Sequence, residues 1–120
     1  MNTNLFICHT KCSTCKKAEK WLLDNGVAIE KRNIQTENPT LEEITEWYHK
    51  SGLDIKKLFN TSGMKYRELK LKDRVKTESV DELLKLLSTD GMLVKRPVLV
   101  TEDTVFFGFK EPEYQSLLDK

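Results

Sequence analysis

Leu5-Phe6-Ile7-Cys8-His9-Thr10-Lys11-Cys12-Ser13-Thr14-Cys15 carries most of what the chain says about itself. Leu5 to Cys8 reads as a short buried strand. A helical pattern starts immediately after it: Cys15, Ala18, Trp21 and Leu22 recur at helical spacing from Ser13 to Asn25, and Gly26 supplies a stop. A CxxC at a strand-to-helix junction points to redox chemistry. Cys12 falls where unpaired backbone N–H groups and the positive end of the helix dipole converge, and both favour thiolate over thiol. Cys15 lies one turn on, near enough to close a disulfide. The same spacing is half of a zinc site, but only Cys8, His9 and His49 are available to complete one, with no second CxxC and no HxxxH. A redox pair, a metal half-site and inert thiols are therefore the three readings. The first is preferred, and no metal is expected.

Working outward, Val27 to Ile34 reads as a second strand parallel to the first, making a strand–helix–strand unit. Asn38-Pro39 breaks the chain. Thr40-x-x-Glu43 is a capping box that opens a helix with Leu41, Ile44 and Trp47 on one face, closed by Gly52. Ile55, Leu58 and Phe59 form a short helical turn, Asn60-Thr61-Ser62-Gly63 a loop, and Tyr66 to Leu71 another short helix. Ser79-x-x-Glu82 is a second capping box, followed by Val80, Leu83, Leu84 and Leu87 at i, i+3, i+4, i+7 spacing and a stop at Asp90-Gly91. Val98 to Thr101 and Thr104 to Phe107 read as a hairpin around Glu102-Asp103. Pro112 starts a C-terminal helix through Leu117 and Leu118. The expected fold is α/β: a thioredoxin-like mixed sheet flanked by helices, one domain over 1–120, with a helical insertion at about 40–90 between a βαβ half and a ββα half.

Bulk composition narrows the function. Hydrophobic residues are 38% and charged residues 32% of 120, and the net charge is +1, which argues against an electrostatic nucleic-acid binder. No apolar run approaches the roughly 18 residues of a membrane span, and no signal peptide is evident, so a cytoplasmic protein is expected. All 3 cysteines fall within the first 15 residues, a clustering that suits catalysis or sensing better than a structural disulfide framework.

Four stretches together resemble the arsenate reductase family, the ArsC/Spx group, over nearly the whole chain. They are Cys12-Ser-Thr-Cys15-Lys-Lys-Ala after the first strand; Arg32-Asn33-Ile34 leading into Asn38-Pro39-Thr40; Lys65-Tyr66-Arg67-Glu68-Leu69; and Leu93-Val94-Lys95-Arg96-Pro97-Val98-Leu99-Val100 followed by Val105-Phe106-Phe107-Gly108-Phe109. The resemblance implies a thioredoxin-like fold with Cys12 as nucleophile, Cys15 as resolving thiol and a cis peptide at Arg96-Pro97. It also implies that Arg96 reaches an anion or thiolate, and Thr10, Lys11, Ser13, Thr14 and Asn60 are further candidates to line the site. Arsenate reductases of this type use three arginines around the oxyanion. Arg96 fits one, whereas Asn60 and Phe109 stand at the other two positions. Cys8 and Thr10 replace the His and Pro common before the nucleophile, and Cys15 is absent from the reductases that resolve with glutathione.

The resemblance therefore implies a cytosolic thiol–disulfide redox protein, a thiol-dependent reductase with weak or no arsenate activity. No bound cofactor is expected. Glutathione or thioredoxin would be the reductant, and a small thiol or disulfide, glutaredoxin or thioredoxin the partner of a monomer. Two alternatives stand beside it: a redox-switched Spx-type regulator that binds the RNA polymerase α subunit, and a genuine arsenate reductase. Cys8 is read chiefly as a core residue ending a buried strand. Lys11, Lys16 and Lys17 read as solvated charge on the first helical turn.

Overall fold

The computed structural model describes residues 4–9, 11–61, 63–102 and 104–117. Strand β1 (Asn4–Cys8) is central to a four-stranded mixed sheet of order β2-β1-β3-β4. β2 (Ile29–Asn33) runs parallel to it, with Leu5 opposite Glu30 and Cys8 opposite Asn33. β3 (Val98–Val100) is antiparallel to β1, Ile7 facing Val98, and β4 (Val105–Phe107) is antiparallel to β3. The parallel pair needs a crossover, which is helix α1 (Ser13–Asp24), and the antiparallel pair β3–β4 needs only a short turn.

Alternation along the strands sends neighbouring side chains to opposite faces. Phe6 and Leu99 pack with Ala18 and Leu22 of α1 and with Tyr114 of α6 (Glu111–Tyr114). Trp21, Phe106 and Phe109 surround the Tyr114 ring at centroid distances of 5.7, 5.4 and 4.9 Å. On the other face Ile7, Val98, Val105 and Phe107 meet Ile44 and Trp47 of α2 (Leu41–Ser51) and Leu83, Leu84 and Leu87 of α5 (Val80–Thr89). Each fully buried side chain of this size contributes about 1.5–3 kcal/mol, so these two layers hold β1 rigidly, and with it the loop that follows.

Arg32 at the end of β2 ties the sheet to α2. Its guanidinium makes a two-pronged bond to Glu43 (2.8 and 2.9 Å), donates to the Glu37 and Asn38 carbonyls, and lies 5.9 Å over the Trp47 ring. Glu43 also closes the capping box with Thr40, whose hydroxyl accepts from the Glu43 N–H at 3.1 Å while its own N–H donates to Glu43 at 3.0 Å. Asn38 donates to the Ser88 carbonyl, joining α5 to the same corner.

Four local expectations change. The stretch from Tyr66 is two helices, α3 (Met64–Glu68) and α4 (Leu71–Thr77), separated at Lys70, whose φ of 53° and ψ of 41° are left-handed. Leu41 and Val80 are exposed, because each is the first residue of its helix and stands short of the layer contact. Asp90 is a cap as well as a stop: its carboxylate accepts from the Met92 N–H and opens a 3-10 turn, Gly91–Leu93. The C-terminal helix is short, with a 3-10 turn at Gln115–Leu117, and Leu118 lies outside the described residues.

Candidate functional site

The loop after β1 curls tightly. The Cys12 N–H donates to the His9 carbonyl at 3.1 Å, and His9 is itself held by Gln35 at 3.0 Å. This turn sets Cys12 at the N-cap of α1, where its Sγ accepts from the Cys15 N–H at 3.4 Å. No acidic residue occupies the first turn of α1, so nothing there offsets the positive helix end.

Cys12 opens onto a cleft of about 530 Å³, also lined by Thr14, Asn60, Gly63, Met64, Lys95, Arg96, Phe107, Gly108, Phe109 and Lys110. The volume is that of a small-molecule site. Three backbone bonds assemble its far wall. Asn60 N–H donates to Leu93 O and Lys95 N–H to Leu58 O, both at 2.8 Å, so Asn60 and Arg96 are carried on paired segments bridged at Phe59–Val94. Gly108 N–H donates to Pro97 O at 2.8 Å, next to the cis peptide Arg96-Pro97.

Gly108 is there for two reasons. Its φ is +85°, and a Cβ at this position would stand 2.7 Å from Cε of Lys95, whose stem lies across it. Arg96 is steered by Met92, its Nη1 donating to the Met92 sulfur at 3.1 Å.

The residues singled out from sequence divide accordingly. Cys12, Thr14, Asn60 and Arg96 share the cleft, and Phe109, at the second missing arginine position, is on its wall. Lys11 and Ser13 are exposed and do not line it. Thr10 lies outside the described residues. Lys95, Lys110, Met64, Gly63 and Phe107 line the cleft without having been anticipated as site residues. For the two lysines there was a usable signal: each is a cation within two residues of Arg96 or Gly108.

Cys15 faces away from the cleft. It is buried, and together with Cys8, His9, Lys16, Glu19, Lys31, Arg32, Asn33 and Glu37 it lines a second cavity, of about 490 Å³, behind the loop. Interaction with the neighbouring Cys8 sulfur, together with burial and the proximity of Cys12, pushes the Cys15 thiol's ionisation well above the ordinary thiol range. The same interaction with Cys15 lowers Cys8 from 9.0 to about 7 against the opposing effects of partial burial and Glu19, with Lys31 assisting. All three cysteines are free thiols. Among the described residues no group of three or more His, Cys, Asp or Glu side chains is placed to hold a metal ion. Among the same residues no helix is long and apolar enough to cross a membrane.

The chain is similar to known proteins in sequence and in structure. The chain is 50% identical over 110 residues to the uncharacterised protein YusI of Bacillus subtilis, covering 92% of this chain and 93% of that one. It is 25% identical over 109 residues to the global transcriptional regulator Spx 1 of Bacillus cereus, covering 91% and 82%. The crystal structure of an ArsC family related protein from Bacteroides fragilis superposes with a TM-score of 0.94 at 47% identity, covering 97% and 98%. The family model described as ArsC matches residues 8–117, and the chain belongs to the ArsC family.

Proposed function

We propose that this ArsC family member is a cytosolic thiol–disulfide oxidoreductase in which Cys12 is the nucleophile and Cys15 the resolving thiol. The observation that carries this reading is the position of Cys12: at the N-cap of α1, open to a cleft holding Arg96, Lys95 and Lys110, with Cys15 buried one turn behind it and its N–H donating to Cys12 Sγ. Cys12 thiolate attacks one sulfur of a disulfide or glutathione adduct. The S–S bond breaks, the leaving thiolate takes a proton from solvent, and Cys12 keeps the other half as a mixed disulfide. Cys15 then loses its proton and attacks Cys12 Sγ, expelling the second thiol and leaving a Cys12–Cys15 disulfide. An external thiol reductant such as glutathione or thioredoxin returns two electrons. The cleft cations suit substrates carrying carboxylates.

Arsenate is a poor match. Asn60 and Phe109 supply no two-pronged guanidinium, and Lys95 and Lys110 act as point charges rather than planar forks. The deciding assay is turnover of a glutathione-capped thiol and of arsenate, each coupled to NADPH consumption, in wild type and Cys12→Ser. Exchange that needs Cys12, with arsenate turnover at least about a hundredfold weaker, is the expected result. Efficient arsenate reduction lost in Cys12→Ser would restore an arsenate reductase.

The similarity to Spx 1 over 91% of this chain favours one second reading, a redox-switched regulator whose CxxC controls binding to the RNA polymerase α subunit. Capture of that subunit by the oxidised but not the reduced protein, without catalytic turnover, would select it.

A further inference from the structure

Two cavities flank the β1–α1 loop, and Cys15 stands between them. Cys12 belongs to the front cleft, Cys8 and Cys15 line the cavity behind, and the Cys15 N–H donates to Cys12 Sγ at 3.4 Å. The tight turn at His9 creates this arrangement, bringing the first turn of α1 back over the end of β1. The β1 strand ends at Cys8, whose carbonyl is fixed by the Ile34 N–H at 2.9 Å, so the thiol is presented from a rigid frame.

We infer that Cys8 is a second exchange thiol: the disulfide formed at the front is passed through Cys15 to Cys8, and is reduced from the rear cavity by a small anionic thiol. This deepens the proposed function and rests on it. After Cys12–Cys15 has formed, Cys8 loses its proton and its thiolate attacks Cys15 Sγ. A Cys8–Cys15 bond forms, the Cys12–Cys15 bond breaks, and Cys12 leaves as thiolate, ready for another substrate. No electron is gained or lost in this internal exchange. A small thiol in the rear cavity then attacks Cys8 Sγ, giving a mixed disulfide on Cys8 while Cys15 departs and takes a proton. A second equivalent of that thiol attacks the mixed disulfide, releasing Cys8 thiolate and the oxidised thiol dimer.

Two features support a nucleophile at Cys8. The thiol is only partly buried, and it opens on the rear cavity beside Cys15. Lys16 and Lys31 in the cavity lining provide positive charge for a carboxylate-bearing thiol, offset in part by Glu37 and by Glu19, which pairs with Lys31 at 3.1 Å. The two openings separate the substrate side from the reductant side.

The test uses the full chain with reduced glutathione as the probe. Wild type oxidised with one equivalent of diamide is acid-quenched over time and its disulfides mapped. Cys12–Cys15 should appear first and Cys8–Cys15 should rise to within about tenfold of it, with glutathione then captured on Cys8. In Cys8→Ser the first burst of thiol released by Cys12 should persist, while re-reduction by glutathione should slow at least about tenfold. Glutathione found only on Cys12, with re-reduction of Cys8→Ser at the wild-type rate, would overturn the relay. Cys12→Ser provides a separate check, since diamide should still form Cys8–Cys15 in it. Absence of that bond overturns the relay even if Cys12 proves to be the nucleophile. Its presence alongside undiminished turnover in Cys12→Ser would instead overturn the front-side reading.

Discussion

Two helices begin next to the sheet and are capped in opposite ways. At α2 every device of stability is present: the Thr40 hydroxyl, the reciprocal carboxylate of Glu43, acidic residues in the first turn, and Arg32 clamping the whole corner. At α1 the cap is a thiol, the hydrogen bond to it is 3.4 Å long, and the first turn has no acidic side chain. Sulfur is a weak acceptor, and so α1 keeps a positive end directed at a nucleophile and an open cleft. The difference teaches that a helix start can satisfy its own N–H groups or reserve them for chemistry. This chain does the first where the fold needs anchoring and the second where the cleft opens.

The largest expected effect comes from Cys12→Ser. Serine is a good N-cap, so melting temperature should hold or rise slightly, while exchange activity falls about a thousandfold or more. Calorimetry and a turnover assay on the same sample check both halves. A loss of stability without a loss of activity would erase the contrast between the two helix starts.

The opposite pattern is expected at α2. Arg32→Met should leave Glu43 without its partner and cost about 2 kcal/mol in urea unfolding, with Cys12 alkylation unaffected. A smaller effect should appear in acid. The bond from Arg32, together with the Thr40 N–H, holds the Glu43 carboxyl at about 2, below its ordinary 4.5. A depressed carboxylate stabilises the fold fully above about 4.5, and that contribution fades as pH falls towards 2. Because Glu43 is a third exposed, screening reduces it to about 1 kcal/mol. Wild type should therefore lose its advantage over Glu43→Gln between those pH values, as followed by thermal melts. The smallest effect makes α1 resemble α2. Ser13→Asp adds an acid to the exposed first turn, worth about 0.3–1 kcal/mol, and should slow iodoacetamide alkylation of Cys12 by about two- to fivefold.

Most of the frame was readable because its signals are local. The CxxC after an apolar strand, the Thr40–Glu43 capping box, and Gly52 ending α2 at a φ of 68° are each decided within a few residues, whereas the box expected at Ser79 is a one-way cap, its hydroxyl accepting from the Glu82 N–H without the reciprocal carboxylate bond. What escaped was tertiary. No glycine or proline marks Lys70, yet packing of Leu71 and Tyr66 into one core forces the chain through a left-handed residue there. Lys95 and Lys110 reach the cleft only because β3 and β4 are folded side by side. Cys8 reads as core because it ends a buried strand, and the structure leaves it half-buried on the rear cavity. The curl at His9 brings Cys15 onto the same cavity as Cys8, a juxtaposition that no spacing rule contains. The pairing of Asn60 and Phe109 on one cleft, in contrast, follows from the family resemblance alone and is seen in the assembled walls.

Gly108 gives the cleft an unusual genetic profile. The Lys95 stem fills the volume where a side chain at 108 would be, so the two positions share one parcel of space. In a saturation library scored for folding, alanine at 108 would suffer chiefly from its backbone angle. Scored for use of anionic substrates, it would also suffer from displacement of the Lys95 side chain that lies across it. A selection that reports growth alone would merge these two defects, and only the double substitution with a shorter residue at 95 would separate them.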